Sequence, residues 1–456
     1  MSLKQQKTKQ RVKIQPESPM LAQLNDQQKS ALSAMQAFLK SDAHFFLLKG
    51  YAGTGKTFTI QALIQKLQTE NRNIWIACAA PTHKAVKVLR NMADTWKIEN
   101  VDFATIYQLL GLTLDYDEEG GRTLVEGRDS KLKKYKLVIL DEASMVSSKL
   151  WQLLSTIVPK RNVKVICMGD PAQLPPVHEI ESPVFTAISA QAELTQIMRN
   201  QTENPISTMI QTAREQVFTQ NCSLVINSNF SCDQSQGVWV LEKSKWLQQM
   251  VKAFQSPTYQ KNPDYVRAIA WTNKTVDYLN HHIRHAIYEH ADQPYVAGER
   301  LIAKDTIFDP YEEEETILMN ASAECEVISA SYSNSGKYHV WRLKVVDEEG
   351  SEHILKVLDA SSYEKFQTDL SHHAEQAQIK KLKKVKNPWE DYWTLRNRYA
   401  QVNYAYAMTS HKGQGSTFQN VFVAQKDILR NPNEIERYKS LYVAYSRASD
   451  RLIIQV

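Results

Sequence analysis

The sequence predicts an α/β protein of two lobes, each built on a parallel sheet covered by helices. Three observations support this fold class. Short apolar runs alternate with helical stretches in the first half of the chain, and polar residues follow each run directly. A second group of apolar runs recurs far downstream, between residues 267 and 447. Strands that alternate with helices are typical of parallel sheets with helices packed on their faces.

The first apolar run, Phe45–Leu48, is predicted to be a strand buried on both faces. An amphipathic helix with Asn25 as its N-cap is predicted before it. Gly50–Thr57 then match the pattern G-x-x-x-x-G-K-[ST] at every fixed position. A helix predicted over 58–68 directs its positive end toward the same loop. A strand, this loop and a helix in succession indicate a P-loop rather than a chance glycine turn.

A P-loop predicts binding of a nucleoside triphosphate. Gly50, Gly53 and Gly55 allow backbone N–H groups to turn toward a polyphosphate without a Cβ in the way. Lys56 is expected to contact the β- and γ-phosphates of ATP, and the Thr57 hydroxyl to bind Mg²⁺.

Three further buried strands are predicted in the first lobe, and each ends in a polar segment. They are Asn73–Ala80 before Pro81–Lys84, Lys136–Leu140 before Asp141–Ser144, and Asn162–Met168 before Gly169–Val177. Open α/β sheets bind their ligands at the carboxyl ends of the strands. The polar segments are therefore candidate parts of one site.

The downstream runs predict a second α/β lobe that carries an insertion. Its strands are expected at Arg267–Trp271, Asn420–Ala424 and Leu441–Arg447. Within the insertion, alternating residues with turns at 334–336 and 348–350 predict a small barrel. A polar helical stretch is expected after it, over 363–397.

A β-hairpin is predicted to interrupt the first lobe. Thr113–Tyr116 and Arg122–Val125 flank an acidic turn that contains Gly120 and Gly121. The apolar side chains of so short a hairpin cannot all be buried, so some are expected to face a partner. An ordinary surface hairpin packed on its own lobe is the alternative.

The composition is that of an ordinary globular protein of 456 residues, 43% hydrophobic and 23% charged. No apolar run reaches the ~20 residues that span a bilayer, so no membrane segment is expected. Five cysteines are scattered without a C-x-x-C pair, which predicts neither disulfides nor zinc and indicates a reducing cytoplasm.

The net charge is +5, and residues 1–19 alone carry +4. This tail is predicted to be disordered, either bound to a polyanion or simply solvated.

The chemistry is predicted to lie in the polar segments. Of Asp141 and Glu142, one carboxylate can hold Mg²⁺ and the other can polarise the attacking water. Gln173 is a candidate sensor of the γ-phosphate. Arg199 and Arg447 are candidates to neutralise charge in the transition state. A lone arginine is more often part of a surface ion pair.

These segments, taken in order, resemble the motifs of the superfamily 1B DNA helicases, the 5′→3′ group that includes the RecD, Pif1 and Dda types. The Dda type of T4-like phages is the nearest resemblance. The resemblance covers residues 24–451, except that Tyr107 stands where many relatives have histidine. The matching segments are Leu24–Gln28 (Q motif), Gly50–Thr57 (I), Ala79–Ala85 (Ia), Thr105–Leu110 (Ib), Asp141–Ser144 (II), Gly169–Val177 (III), Arg199 (IV), Tyr406–Thr417 (V) and Val443–Ala448 (VI).

The resemblance implies a domain arrangement and a set of site residues. The implied domains are RecA-like lobe 1A (20–110 and 136–197), pin hairpin 1B (111–135), RecA-like lobe 2A (198–297 and 396–456) and accessory domain 2B, an SH3-like barrel with a helical extension (298–395). The implied ATP-binding residues are Gln28, Gly50, Gly53, Thr54, Gly55, Lys56, Thr57 and Gln414, with Thr57 and Asp141 as the Mg²⁺ ligands. The implied catalytic residues are Lys56, Asp141, Glu142, Gln173, Arg199 and Arg447. The implied DNA-binding residues are Thr82, His83, Lys84, Thr105, Tyr107, Trp271, Thr272, Asn273, Thr409 and His411.

The implied function is that of a monomeric motor that hydrolyses ATP and moves 5′→3′ on single-stranded DNA to unwind duplexes and forks. It would act in the cytoplasm of a bacterial or phage-infected cell, in replication, recombination or repair, with a replication or single-strand-binding protein as candidate partner. Hydroxyls and lysines suit phosphates, and aromatic rings can stack on bases without reading sequence. Core packing is the alternative for Trp271. A translocase that strips proteins from DNA, an ATP-gated scaffold and an RNA substrate also remain open.

Overall fold

The computed structural model describes residues 19–71, 73–96, 98–116, 122–126, 130–197, 204–220, 226–289, 291–309 and 317–456. Three predicted features lie outside these ranges: the basic tail up to residue 18, the acidic hairpin turn at 117–121, and Arg199. Within the described ranges, no helix combines the length and apolarity needed to cross a membrane.

The first lobe is a six-stranded parallel sheet with helices on both faces. Its strand order is β3-β2-β6-β7-β1-β8. The strands of this part of the chain are β1 (Phe45–Gly50), β2 (Ile76–Ala80), β3 (Val101–Thr105), β4 (Leu112–Tyr116), β5 (Arg122–Glu126), β6 (Leu137–Leu140), β7 (Lys164–Gly169) and β8 (Gln191–Leu194). The helices are α1 (Pro19–Ala22), α2 (Asp26–Lys40), α3 (Lys56–Glu70), α4 (His83–Thr95), α5 (Ile106–Leu110), α6 (Ser148–Arg161) and α7 (Val184–Ala187).

Strand β1 lies inside this sheet, between β7 and β8. Its side chains alternate between the two cores, because successive residues of a strand point to opposite faces. Phe46 and Leu48 enter the core on one face, and Leu47 enters the core on the other. The prediction of a strand buried on both faces is confirmed. The predicted N-cap is confirmed as well, since Asn25 Oδ1 accepts a hydrogen bond from Gln28 N at the start of α2.

The predicted hairpin is present as β4 and β5. The two strands pair antiparallel, from Leu112 opposite Glu126 to Tyr116 opposite Arg122. The hairpin leaves the lobe directly after α5, and Leu112 packs against the lobe core at its base.

The second lobe has its own six-stranded sheet, in the order β19-β11-β20-β21-β10-β9. All pairs are parallel except β9 with β10. Its first elements are β9 (Asn229–Phe230), β10 (Gly237–Leu241), β11 (Val266–Ala270), α8 (Pro205–Thr219), α9 (Lys243–Phe254), α10 (Pro257–Lys261) and α11 (Asn273–Ile287).

An insertion then forms a five-stranded antiparallel sheet in the order β17-β16-β15-β12-β18, and β13 pairs with β14 beside it. Its elements are β12 (Arg300–Ala303), β13 (Ile307–Phe308), β14 (Ile317–Met319), β15 (Glu324–Ser335), β16 (Tyr338–Asp347), β17 (Glu352–Leu358), α12 (Tyr363–Leu382), α13 (Glu390–Asn397) and β18 (Val402–Tyr404). The predicted turns are confirmed, with Gly336 and Gly350 at positive φ. The sheet draws β18 from beyond residue 395, where accessory domain 2B is predicted to end.

The chain returns to the second lobe through β19 (Ala407–Thr409), β20 (Phe418–Val423), α14 (Gln425–Ile428), α15 (Glu434–Ser446) and β21 (Ala448–Gln455). The prediction of a strand at Leu441–Arg447 is wrong. This segment forms the last turns of α15, and the strand that pairs with β20 is β21 instead. The run is apolar without a break because α15 is buried on every side from Tyr438 to Tyr445. Periodicity cannot distinguish such a helix from a buried strand.

Candidate active site

The P-loop connects the carboxyl end of β1 to the start of α3. Gly53 and Gly55 both have φ of +81°, a left-handed conformation that glycine adopts without strain. At Gly50 the limit is space, because a Cβ there would come within 2.7 Å of Thr54 Oγ1 and 3.0 Å of Lys56 Cγ. The loop therefore requires its glycines for two separate physical reasons.

The loop leaves donors available for an anion. Gly55, the N-cap of α3, has no side chain with which to accept a hydrogen bond from the first N–H groups of the helix. Lys56 Nζ donates to Gly50 O at 2.6 Å and to Tyr51 O at 3.3 Å. The ammonium thus lies directly over the loop, and a polyphosphate held there would be within its reach.

Two partly buried carboxylates follow β6. Glu142 has φ of +52° and donates its backbone N–H to Asp141 Oδ1 at 2.8 Å. Burial raises the pKa of Asp141, against the opposing effects of that N–H and of the Lys56 charge. Burial and the Asp141 charge raise the pKa of Glu142 to about 7. A group with its pKa near neutrality is suited to exchange a proton with water at ordinary pH.

A third acid, the fully buried Asp170, follows β7. Its Oδ1 accepts the backbone N–H of Ala172 at 3.0 Å, and its Oδ2 accepts the hydroxyl of Tyr442 at 2.6 Å. Burial raises the pKa of Asp170, while the Lys56 charge opposes the shift. This residue falls within motif III, but no role was predicted for it. The signal was the same as for Asp141, an acid directly after a buried strand.

The second lobe contributes residues to the same cleft. The Arg447 charge acts to lower the pKa of Glu142, so the guanidinium lies within electrostatic range of that carboxylate. Arg447 is oriented by hydrogen bonds from Nε to Val443 O at 3.1 Å and from Nη1 to Ser416 O at 2.9 Å. A Cβ on Gly415 would lie 3.6 Å from Glu142 Oε1. The carboxylate of Glu142 therefore lies at the boundary between the lobes.

Gln173 of the first lobe and Gln414 of the second lobe lie on opposite sides of the lobe boundary. Gln173 is buried, and its Oε1 accepts the Ser144 hydroxyl at 3.3 Å. Gln414 Nε2 donates to Leu174 O at 2.8 Å across the lobe boundary. Two α/β lobes with a P-loop, strand-end carboxylates and an arginine from the second lobe are the features of a P-loop nucleoside triphosphatase.

Gln28, the predicted adenine-binding residue, is fully buried. Its Oε1 accepts the backbone N–H of Asn25 at 3.0 Å, and its Nε2 donates to Thr54 O at 3.3 Å. In this arrangement the side chain links the cap of α2 to the P-loop. Its predicted contact with a base remains a prediction.

Three of the predicted DNA-binding residues line one cavity of about 220 Å³ that both lobes and the insertion enclose. They are Thr82, Lys84 and His411. Burial lowers the pKa of His411, which favours the neutral ring, a form that can stack or accept a hydrogen bond. His83 lies in a neighbouring cavity of about 660 Å³, between the first lobe and the insertion.

The predicted threonines have structural tasks. Thr82, Thr105 and Thr272 are the N-caps of α4, α5 and α11, where each hydroxyl accepts a backbone N–H. Thr409 Oγ1 accepts the Lys412 N–H at 3.4 Å. The N-terminal ends of α4 and α11 are favourable positions for phosphates, because the helix dipole is positive there.

The predicted aromatic residues are only partly available. Tyr107 packs on the core of the first lobe, and burial raises its pKa. Trp271 packs on the core of the second lobe and remains half-buried, while its neighbour Asn273 is exposed. Core packing accounts for part of each ring, and the remaining surface can meet a base.

Lys84 is held by carboxylates that the sequence analysis did not identify. Its Nζ lies 3.1 Å from Glu324 Oε1 of the insertion and 3.5 Å from Asp264 Oδ1 of the second lobe. It also lies 4.4 Å from the ring centroid of Phe418. Glu324 Oε2 pairs with Arg267 Nη2 at 2.9 Å. One ion cluster, buried at Arg267 and Glu324 and exposed at Asp264, thus connects the first lobe, the second lobe and the insertion.

Replacing Glu324 by Gln should lower the free energy of unfolding by about 3 kcal/mol, because Arg267 would then be a buried guanidinium without its counter-charge. The two side chains are 4% and 1% exposed. Burial opposes ionisation, but the charges of Arg267 and Lys84 outweigh it and lower the pKa of Glu324 to about 2. The ionised Glu324 therefore stabilises the fold fully at pH values above 4.5, the ordinary pKa of a glutamate. This stabilisation is lost as the pH falls toward 2.

Urea denaturation at pH 7 measures this cost. The control is Glu326→Gln in the same strand, which breaks a partly exposed pair between Glu326 Oε2 and Arg300 Nη2. That change should cost about 1 kcal/mol or less. Equal small costs for the two variants would show that the buried cluster does not stabilise the fold.

Known families and proteins match this sequence over most of its length. A family model described as an AAA domain matches residues 23–223, one described as the Dda helicase SH3 domain matches 294–404, and one described as the UvrD-like helicase C-terminal domain matches 404–455. The ATP-dependent DNA helicase dda of Enterobacteria phage T4 is 28% identical over 88% of this chain and 92% of its own length. The uncharacterized protein R530 of Acanthamoeba polyphaga mimivirus is 29% identical over 94% of this chain and 99% of its own length.

Two solved structures give weaker likenesses. The Pif1 helicase from Candida albicans covers 95% of this chain and 94% of its own, with 14% identity and a TM-score of 0.46. A structure of two coordinating Pif1 helicases on forked dsDNA covers 94% of this chain and 91% of its own, with 17% identity and a TM-score of 0.48.

The three family models follow one another in the order of the lobes and the insertion. Together with the match to the T4 dda helicase, they indicate an ATP-dependent DNA helicase similar to the Dda type.

Proposed function

We propose that the protein moves 5′→3′ on single-stranded DNA and unwinds duplexes, driven by ATP hydrolysis between its two lobes. The observation that carries the proposal is that the second lobe reaches Glu142 of the first: a Cβ on Gly415 would lie 3.6 Å from Glu142 Oε1, and the Arg447 charge acts on the same carboxylate. A nucleotide bound there contacts both lobes, so its hydrolysis changes the forces that hold them together. Alternating closure of two rigid bodies on a bound strand is a means of movement.

Each cleft residue has a proposed role. Lys56 contacts the β- and γ-phosphates, and Glu142 positions the attacking water. Gln173 senses the γ-phosphate, and Arg447 neutralises the charge that develops on it. Arg199 is proposed as a second arginine at the junction. The 5′→3′ direction rests on the family alone.

Magnesium fits the donor set of the cleft. Carboxylate and hydroxyl oxygens are the ligands that Mg²⁺ prefers, and in nucleotide sites it is held by one or two carboxylates together with substrate phosphates. Asp141 is a carboxylate whose pKa is raised by burial. A divalent cation would stabilise its ionised form. Asp141 and the Thr57 hydroxyl are the proposed ligands, and the cation would neutralise phosphate charge.

The single strand is proposed to cross both lobes at the cavity lined by Thr82, Lys84 and His411. Lys84 must exchange Glu324 for a phosphate to serve there. Counter-ion release by the lysines then makes strand affinity fall with salt, with a slope of about −0.7 per phosphate neutralised.

Strand displacement on a tailed duplex, with ATP turnover followed in parallel, tests the proposal. A motor hydrolyses ATP faster with single-stranded DNA and releases the paired strand. An ATP-gated scaffold would bind both ligands without DNA-stimulated turnover. A translocase that only strips proteins would show turnover without displacement on naked DNA.

The β4–β5 hairpin is proposed to separate the strands at the fork. Replacing residues 113–125 by a short Gly-Ser turn should leave DNA-stimulated ATPase and single-strand translocation near normal and lower the unwinding rate sharply. The reason is that none of the proposed cleft residues belongs to this hairpin, which follows α5 as a separate two-stranded sheet. Unwinding by the shortened protein at the parent rate would place the separating element in the 298–395 insertion instead.

A further inference from the structure

One side chain of helix α15, in the second lobe, reaches the P-loop of the first lobe. Tyr442 is fully buried, and its hydroxyl accepts the backbone N–H of Ala52, inside the P-loop, at 2.9 Å. The same hydroxyl donates to Asp170 Oδ2 at 2.6 Å. A tyrosine hydroxyl has one proton to donate and lone pairs to accept with, so both hydrogen bonds form at once. One oxygen atom thus joins the P-loop, the strand-end acid after β7, and the second lobe.

The helix that carries Tyr442 also orients Arg447. Arg447 caps α15, five residues beyond Tyr442, and its Nε donates to Val443 O on the intervening turn. At a rise of about 1.5 Å per residue, the two lie little more than one turn apart on one rigid element. Tyr442 packs within the core of the second lobe. A shift of the P-loop at Ala52 therefore displaces α15, and with it Arg447 and the lobe.

A neighbouring tyrosine on the same helix provides a contrast. Tyr445 is also fully buried, and its hydroxyl donates to Gln425 Oε1. Gln425 belongs to α14, so this hydrogen bond stays inside the second lobe. The two hydroxyls differ in which lobe they reach, while their burial and helix are the same.

We propose that the Tyr442 hydroxyl is a coupling group, which transmits the nucleotide state of the P-loop to the second lobe and so to the bound strand. Tyr442 is a positioning residue in this scheme, because it acts through Ala52, Asp170 and Arg447. The proposal rests on the proposed function as a motor. It assigns to one hydrogen-bonded oxygen the linkage between nucleotide and strand that such a motor requires.

The test is the affinity for a single-stranded oligonucleotide, measured by fluorescence anisotropy with and without a non-hydrolysable ATP analogue. The ratio of the two dissociation constants is the coupling between the sites, and such ratios are typically about 5 to 150. Tyr442→Phe should bring the ratio close to one. Tyr445→Phe, which removes the same hydroxyl from the same helix, should keep the parent ratio. In steady-state assays Tyr442→Phe should lower the DNA-stimulated kcat about tenfold, the effect of one lost hydrogen bond to a charged group, with a much smaller change in KM for ATP.

The outcomes separate this proposal from the proposed function. A parent ratio of one would overturn the motor, and the coupling group with it. A parent ratio well above one that Tyr442→Phe leaves unchanged would overturn the coupling group alone. If Tyr442→Phe does not fold, Asp170→Asn carries the test, since it keeps an acceptor for the hydroxyl but removes the charge that strengthens the hydrogen bond. Its ratio should fall below that of the parent, and an unchanged ratio would contradict the proposal.

Discussion

Lys56→Ala is expected to lower the rate of ATP hydrolysis by a factor of about 10²–10³, the loss that follows removal of one preorganised electrostatic contact to a transition state. Binding of single-stranded DNA should stay largely intact. The physical reason is that the nucleotide site and the strand site use different residues. Lys56 Nζ lies over the P-loop at Gly50 and Tyr51. The cavity with the proposed strand contacts is lined by other residues, from both lobes and the insertion.

Lys66→Ala is the matched control for this change. Lys66 lies on the same helix, α3, and its Nζ donates to Gln36 Oε1 at 3.2 Å, away from the loop. This variant should keep the parent rate. Loss of both hydrolysis and strand binding in a folded Lys56→Ala protein would show that the two sites are not separate.

Glu142→Gln should bind ATP and Mg²⁺ but hydrolyse ATP more slowly by a factor of about 10² or more, the usual contribution of a general base. The amide keeps the size of the side chain and loses its ability to take a proton from water. Two facts favour this residue over its neighbour: burial and the Asp141 charge raise its pKa to about 7, and its Oε1 lies against Gly415 of the second lobe.

Single-turnover hydrolysis separates the chemical step from binding and product release. The control is Glu70→Gln, the same substitution at the exposed end of α3. It should leave the rate unchanged. A Glu142→Gln protein with the parent rate would assign the proton transfer to another group, and Asp170 would be the first to examine.

The central strands and the P-loop could be predicted from the sequence because their signals are local. Strand β1 is apolar at Phe46, Leu47 and Leu48 because both of its faces are covered. Strands β3 and β8 gave no such signal. They are the edges of the same sheet, where residues such as Gln191 and Glu193 remain exposed.

The contacts between distant parts of the chain could not be predicted. Lys84 meets Glu324 across 240 residues, and Tyr442 meets Asp170 across 272. No pattern within either segment specifies its partner, because the pairing depends on how the lobes and the insertion pack. The same limit explains why Lys84 was predicted as a phosphate contact without its carboxylate partner.

Unwinding of two matched duplexes, one with a 5′ single-stranded tail and one with a 3′ tail, tests the central claim most directly. Equal concentrations of protein and ATP are used, and Lys56→Ala serves as the inactive reference. A motor driven from the cleft between the lobes in the 5′→3′ direction should displace the strand from the 5′-tailed duplex and leave the 3′-tailed duplex paired. Displacement from the 3′-tailed duplex alone, or displacement by Lys56→Ala equal to that of the parent protein, would contradict the account.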